Sequence, residues 1–146
     1  MRESISSTFL YNIIILFIIV TFAFLAGTLS YMKAFKSNSR VVKSIEKWEG
    51  YNYKSSEEIA GVLGTIGYKK DEINCPGMKD TGELVEQLSE EKYAYCIYHF
   101  SPENSGLVDK DYYGVLTYMF INVPVVGEVK IPIYTKTEKI YRFDTD

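Results

Sequence analysis

Histidine, cysteine and tryptophan are scarce in this chain of 146 residues, with one His, two Cys and one Trp. A lone histidine, His99, excludes a His-rich metal cluster and any triad that calls for a second imidazole. Cys75 and Cys96 form no CxxC pair, and with one His they cannot complete a standard zinc site. Asp109-Lys110-Asp111 and Asp144-Thr145-Asp146 have a calcium-like spacing, but the first lacks the downstream glycine and glutamate of a calcium loop. Gly61, Gly64 and Gly67 lie three apart in a helical pattern, with no strand before them to make a phosphate-cradling loop. No motif places two carboxylates for acid–base work. These absences predict a protein that is not an enzyme, with no catalytic residue, no metal and no cofactor. Positive charge is not in excess either, 16 Lys/Arg against 19 Asp/Glu, so no nucleic-acid partner is expected.

Charge is missing altogether from Ser4 to Met32, and every charged residue lies outside that window. Within it, Phe9 to Leu29 is apolar apart from Tyr11, Asn12, Thr21 and Thr28. At about 1.5 Å per residue such a helix crosses a hydrocarbon core of about 30 Å. A cleaved signal peptide is the competing reading, but its apolar stretch is about 7–15 residues and ends in a small-x-small site. This run is longer, Ala26 has Phe24 at its −3 position, and Ser30 with Thr28 at −3 is the only passable site. A retained anchor over residues 1–32 is expected, bracketed by Tyr11 and Tyr31 as aromatic belts are. Ala23 with Gly27, and Ala26 with Ser30, repeat small residues at the spacing that lets helices approach closely in lipid.

Two signals of orientation oppose each other. Residues 33–50 carry Lys33, Lys36, Arg40, Lys43 and Lys47 against Glu46 and Glu49, and the positive-inside rule would keep that side cytoplasmic. Lys33, Lys36, Arg40 and Lys43 form a basic collar suited to anionic headgroups. Cysteine usage favours the exterior, where a disulfide helps a domain short of core. A Cys75–Cys96 bridge would contribute about 3.4 kcal/mol in the chain-entropy model, and two unpaired core cysteines are the alternative. The balance places the C-terminal domain outside the cytoplasm, on a single-pass membrane protein.

No Pro or Gly interrupts Ser30 to Glu49, and apolar residues recur at Met32, Phe35, Val42, Ile45 and Trp48. One helix is therefore expected from about Ser4 to Glu49, apolar all round at first and amphipathic over residues 33–50, with Gly50 as its stop. A head over residues 51–146 follows, with 10 basic and 16 acidic residues. Ser55 and Glu58 read as a capping box for a second helix, with Ile59, Val62, Leu63 and Ile66 inward and Gly67 closing it. Thr81 to Glu91 reads as a third short helix. From Lys92 the period changes to two, predicting strands over 93–100, with Ala94, Cys96, Tyr98 and Phe100 on one face, then 112–123 and 129–143. The fold class is α+β: a long N-terminal helix, two short helices and an antiparallel sheet of at least three strands. The 13 tyrosines suit either a sheet core or a peptide- or glycan-binding platform, and the core is the favoured reading.

This layout resembles a type IV pilin-like subunit, closest in flavour to the minor pilin-like proteins of tight-adherence pili. The stretch IPIYTKTEKIY, Ile131 to Tyr141, after the Pro124-Val125-Val126-Gly127 turn, is similar to closing strands of such proteins. The resemblance implies a subunit of a surface appendage or assembly machine, partnered by membrane lipid and by copies of itself or similar subunits. It also implies an acid inside the apolar run; here Glu3 precedes that run, and no Gly-then-Phe/Met processing junction is present. A bitopic membrane protein with a Tyr-rich extracytoplasmic sensor domain is the other reading.

Overall fold

The computed structural model of the chain describes residues 2–77, 82–101, 109–123 and 126–142. Its elements in order are α1 (Arg2–Lys47), α2 (Tyr53–Ile66), β1 (Glu83–Val85), β2 (Tyr95–Phe100), β3 (Asp109–Val123), β4 (Gly127–Lys136) and β5 (Ile140–Arg142). Every strand pairing is antiparallel, in the order β1-β2-β3-β4, and β5 also pairs with β3. The fold is α+β, as the periodicities indicate.

A single unbroken helix carries two different surfaces. Up to Lys33 the described side chains of α1 are exposed, save for the half-buried Gly27 and Ser30. From Ala34 the helix lies against the sheet and α2, burying Ala34, Ser37, Asn38, Val41, Val42, Ser44 and Ile45. The expected face holds at Val42 and Ile45, which are buried, and at the half-buried Trp48, but not before them: Met32 and Phe35 are 61% and 54% exposed, and Ala34, Ser37 and Asn38 take the inward positions. Small side chains let the sheet come close enough for Asn38 to reach its backbone. Past Lys47, Glu49 adopts a left-handed φ of 52°, and Gly50 N–H closes the turn on Ile45 O at 2.9 Å.

The capping box of α2 lies three residues earlier than expected. Asn52 Oδ1 accepts from Ser55 N–H at 3.0 Å while Ser55 Oγ accepts from Asn52 N–H at 2.8 Å. Asn is as good a cap as Ser, and Glu58 is thereby released to take Lys47 Nζ and Trp48 Nε1–H, at 2.8 and 2.7 Å. Gly67 ends α2 in the left-handed conformation, φ 69°. Ile59 and Leu63 are buried, whereas Val62 and Ile66 are half-buried.

The third helix expected over 81–91 does not form; Thr81 lies outside the described residues. Glu83–Val85 is instead the edge strand β1, with Leu84 opposite Tyr98. The run has too few apolar residues to fix a period, and the β2 edge offers ladder partners that a helix would leave unmade. Gln87 then acts in place of a strand: its Nε2 donates to Tyr93 O and Tyr95 O, and its Oε1 accepts from Tyr93 N–H.

The expected closing strand 129–143 is two strands. Three residues, Thr137 to Lys139, stand against two, Tyr112 and Tyr113, between the pairs Gly114↔Lys136 and Asp111↔Ile140. The extra residue makes a bulge. Thr137 covers the interruption, donating its N–H to Tyr113 O at 2.8 Å and accepting Tyr113 N–H on its hydroxyl at 2.9 Å.

Strand β2 buries both faces. Tyr95 and Ile97 join the main core with Val41, Ile45, Ile59, Leu63, Tyr113 and Val115. Cys96, Tyr98 and Phe100 form a smaller core with Leu116, against Ile73 and Cys75. Ala94 was expected to share that second face, but it precedes the strand and packs into the main core.

Candidate assembly and membrane-facing surfaces

The Cys75–Cys96 disulfide is formed. It pins the connector after α2 across the outer face of β2 and so closes the smaller core. The Tyr98 hydroxyl, donating to Pro76 O at 2.5 Å, holds the same end of that connector.

Helix α1 is long and apolar enough to cross a membrane. Ala23 and Ala26 are exposed on it, and a Cβ added at Gly27 would meet nothing within 4 Å. Ser30 instead faces the head. With Leu29, Lys33, Lys69, Tyr118 and Phe120 it lines a cavity of about 250 Å³ beneath the sheet. The chain thus leaves the Ala23/Gly27 pair open, while the Ala26/Ser30 pair is covered at one end.

Lys33, Lys36, Arg40 and Lys43 are all exposed, together with Lys47. Steps of three and four put them in one stripe, and at 1.5 Å per residue Lys33 to Lys43 covers about 15 Å of helix. The basic residues therefore run up the head as a line. Lys33 Nζ donates to Gly67 O at 3.3 Å, tying the helix to the end of α2. Lys36 and Arg40 border a groove shared with Gly61 and Thr65 of α2.

The tyrosines divide by position. Tyr51, Tyr68, Tyr93, Tyr95, Tyr98 and Tyr113 are buried. The hydroxyls of Tyr51, Tyr68 and Tyr98 bond backbone groups: Tyr68 accepts Tyr118 N–H at 2.9 Å and donates to Ala94 O at 2.8 Å, extending the ladder past the start of β2. Burial pushes the Tyr68 hydroxyl up to about 12. Tyr95 is also raised well above the ordinary phenol range, by burial first and then by the adjacent Tyr51 hydroxyl at 3.3 Å. Tyr11, Tyr31, Tyr53, Tyr134 and Tyr141 are exposed on four different elements. On the sheet, the half-covered Tyr112 stacks on Phe100 with ring centres 4.8 Å apart, beneath Lys136.

His99 packs against Tyr113, 4.9 Å between rings, and its Nε2 lies 3.3 Å from Asp111 Oδ2. That distance suits an ion pair, although the orientation is not that of a hydrogen bond. Asp109 and Asp111 belong to β3, and Asp111 is buried beneath that contact; the Asp144–Asp146 run lies outside the described residues. No group of three or more potential metal ligands occurs among the described residues. A shallow groove of about 690 Å³ separates α2 from residues 88–93, with Tyr53 and Leu88 on its walls and Glu57, Glu90 and Glu91 on its rim. Lys70, 2.7 Å from Glu91, is the cation bordering it.

Sequence reasoning missed Asn38. Its Nδ2 lies 3.2 Å from Val115 O, 3.1 Å from Thr117 Oγ1 and 3.2 Å from Ile133 O. The only available signal was an amide among the inward positions of an amphipathic pattern. Compared with known proteins, the chain matches no family model, no curated protein and no solved structure.

Proposed function

We propose that the chain is a non-enzymatic, membrane-anchored, pilin-like subunit of a surface appendage or assembly machine, with its head outside the cytoplasm. The observation that carries this reading is the division of α1. Residues 34–47 are the spine of the head, while the apolar half before them is solvent-exposed along its length. Such a surface is stable only against lipid or against similar helices. The open Ala23/Gly27 face offers close approach to another helix, and the disulfide suits an oxidising compartment. Burial of six tyrosines in the core favours a structural use of these residues over a recognition platform.

The test is oxidative crosslinking in membranes of the full chain carrying Gly27→Cys, with Leu25→Cys on the opposite helix face as control. A dimer from Gly27→Cys and little from Leu25→Cys is expected. Monomer from both would overturn helix association at this face. A second reading, a bitopic protein whose extracytoplasmic domain binds a peptide or glycan, draws on the open groove walled by Tyr53 and Leu88. Under that reading Tyr53→Ala would abolish ligand capture without changing crosslinking at Gly27→Cys.

A further inference from the structure

Beyond the apolar run of α1, a second stretch lacks charge: the sixteen residues from Tyr112 to Gly127, which include most of β3 and reach the first residue of β4. Two contacts set the level of this hairpin against α1. Asn38 meets Val115 O and Ile133 O, and Ser30 shares a cavity with Tyr118 and Phe120. Descending α1 from Asn38 to Ser30 covers about 12 Å, and descending β3 from Val115–Thr117 to Tyr118–Phe120 covers about 10 Å. The hairpin therefore runs roughly along α1 towards the apolar half of that helix. Its last ladder pair, Val123↔Gly127, lies three residues past Phe120, about 10 Å further. That places the hairpin end level with Ala23–Gly27, well inside the apolar run. It does not pack on the Gly27 face of the helix, where an added Cβ would meet nothing within 4 Å. Val126, in the turn, is 73% exposed.

Charge thins out near the same part of the head on both elements. Lys33 is the first charged residue of α1 after the apolar run. Glu128 and Lys130 are the first on β4, and they gather with Lys69 about Phe120: Lys69 Nζ lies 2.8 Å from Glu128 Oε1, and Lys69 and Lys130 lie 4.5 and 5.7 Å from the ring centre. From Ser4 up to this level α1 carries no charge, and on the hairpin only Glu128, opposite Asn122, lies nearer its end than Lys130.

We infer that the β3–β4 hairpin end is a second membrane contact, with the Val126 turn inserted shallowly into the leaflet from which α1 emerges and Lys33, Lys69, Glu128 and Lys130 at headgroup depth. The inference rests on α1 spanning the membrane. The occupant is lipid: an exposed valine at hydrocarbon depth has no other apolar phase beside it in a single anchored chain. The head is then held down at two points and cannot swivel freely about the helix.

The experiment uses the full chain, disulfide intact, reconstituted in phosphatidylcholine vesicles containing a quarter phosphatidylglycerol. An environment-sensitive fluorophore is attached at Val126→Cys, at Glu138→Cys near the far end of the head, and at Ile18→Cys within the apolar run. Lipids with shallow or deep nitroxide quenchers report depth. A blue-shifted Val126 label quenched several-fold more by the shallow quencher than the Glu138 label is expected, with the Ile18 label answering to the deep quencher. A Val126 label as unquenched as Glu138, while Ile18 is quenched, overturns the inference and leaves the membrane anchor standing. A blue shift at Val126 without lipid quenching also overturns it, since the turn would then be covered by protein. An unquenched Ile18 label overturns the anchor and the inference together.

Discussion

Asn38 and Ser37 are adjacent buried polar residues with opposite energetics. Asn38 is 2% exposed and supplies a donor that two strands share, so it locks the rotation and height of α1 on the sheet. Asn38→Ala leaves buried carbonyls short of a donor, and we expect a loss of about 1–3 kcal/mol in chemical denaturation of the detergent-solubilised chain. Ser37 Oγ is buried without a hydrogen-bond partner. Ser37→Ala should therefore leave stability unchanged or raise it by up to about 1 kcal/mol; a loss as large as that of Asn38→Ala would contradict the assignment. Neither role was legible beforehand, because a helical period marks which positions face inward but not what they meet there. Glycine supplies another residue-scale contrast. A Cβ at Gly82 would fall 2.5 Å from the buried Phe100 ring, which is held by its stack on Tyr112. At Gly114 the obstacle is Tyr134, whose side chain is at the surface and can swing outward. Gly82→Ala is expected to cost about 1–3 kcal/mol and Gly114→Ala distinctly less, measured by the same denaturation.

Elements with strong periods were legible, and those with short or mixed ones were not. Helix α1 could be read nearly to its ends because 29 charge-free residues followed by an amphipathic stretch admit no other regular structure. Strand β1 could not, since Leu84, Val85 and Leu88 fit a helix face and an edge strand equally well. Its conformation is decided by the free edge of β2 and by the Gln87 amide. The bulge that divides β4 from β5 was equally hidden, because Thr137 reads as an ordinary strand residue until its hydroxyl is seen on Tyr113 N–H. The disulfide was legible as a candidate from cysteine number and spacing. Its role in holding the connector over the outer face of β2 belongs to the tertiary structure. Replacing both cysteines, Cys75→Ser with Cys96→Ser, should lower stability by about 3.4 kcal/mol, the chain-entropy value for that loop. Trp48 fluorescence during urea unfolding would measure it. A reductant should shift the native chain by the same amount and leave the double variant unmoved.

At the scale of the whole molecule, the tyrosine core makes the head sensitive to alkali. Tyr68 is raised from 10.0 to about 12 by burial, and Tyr95 also stays protonated well beyond the ordinary range. Between those limits the unfolded chain has released the protons that the native head retains, so stability falls as pH rises. Tyr68's contribution is complete below pH 10.0 and is lost towards about 12. The slope is about 1.4 kcal/mol per pH unit for each tyrosine so held. Denaturation midpoints across that window should decline in the native chain and decline less steeply in Tyr68→Phe. Equal slopes would mean that Tyr68 titrates alike in both states.

Sequence alone determined that this protein has one long apolar segment continuous with an amphipathic one, a small acidic head, and a period change from helix to strand. Each follows from residues acting over one or two turns or along a single strand, where spacing and composition suffice. Tertiary structure alone decided the face of α1 that enters the head, the strand that replaced a short helix, and the level at which the β3–β4 hairpin ends. Those outcomes depend on backbone groups from distant segments competing for the same partners, and no local period records that competition. The charge-free run from Ser4 to Met32 acquires a counterpart only when the folded sheet sets a second charge-free stretch alongside it.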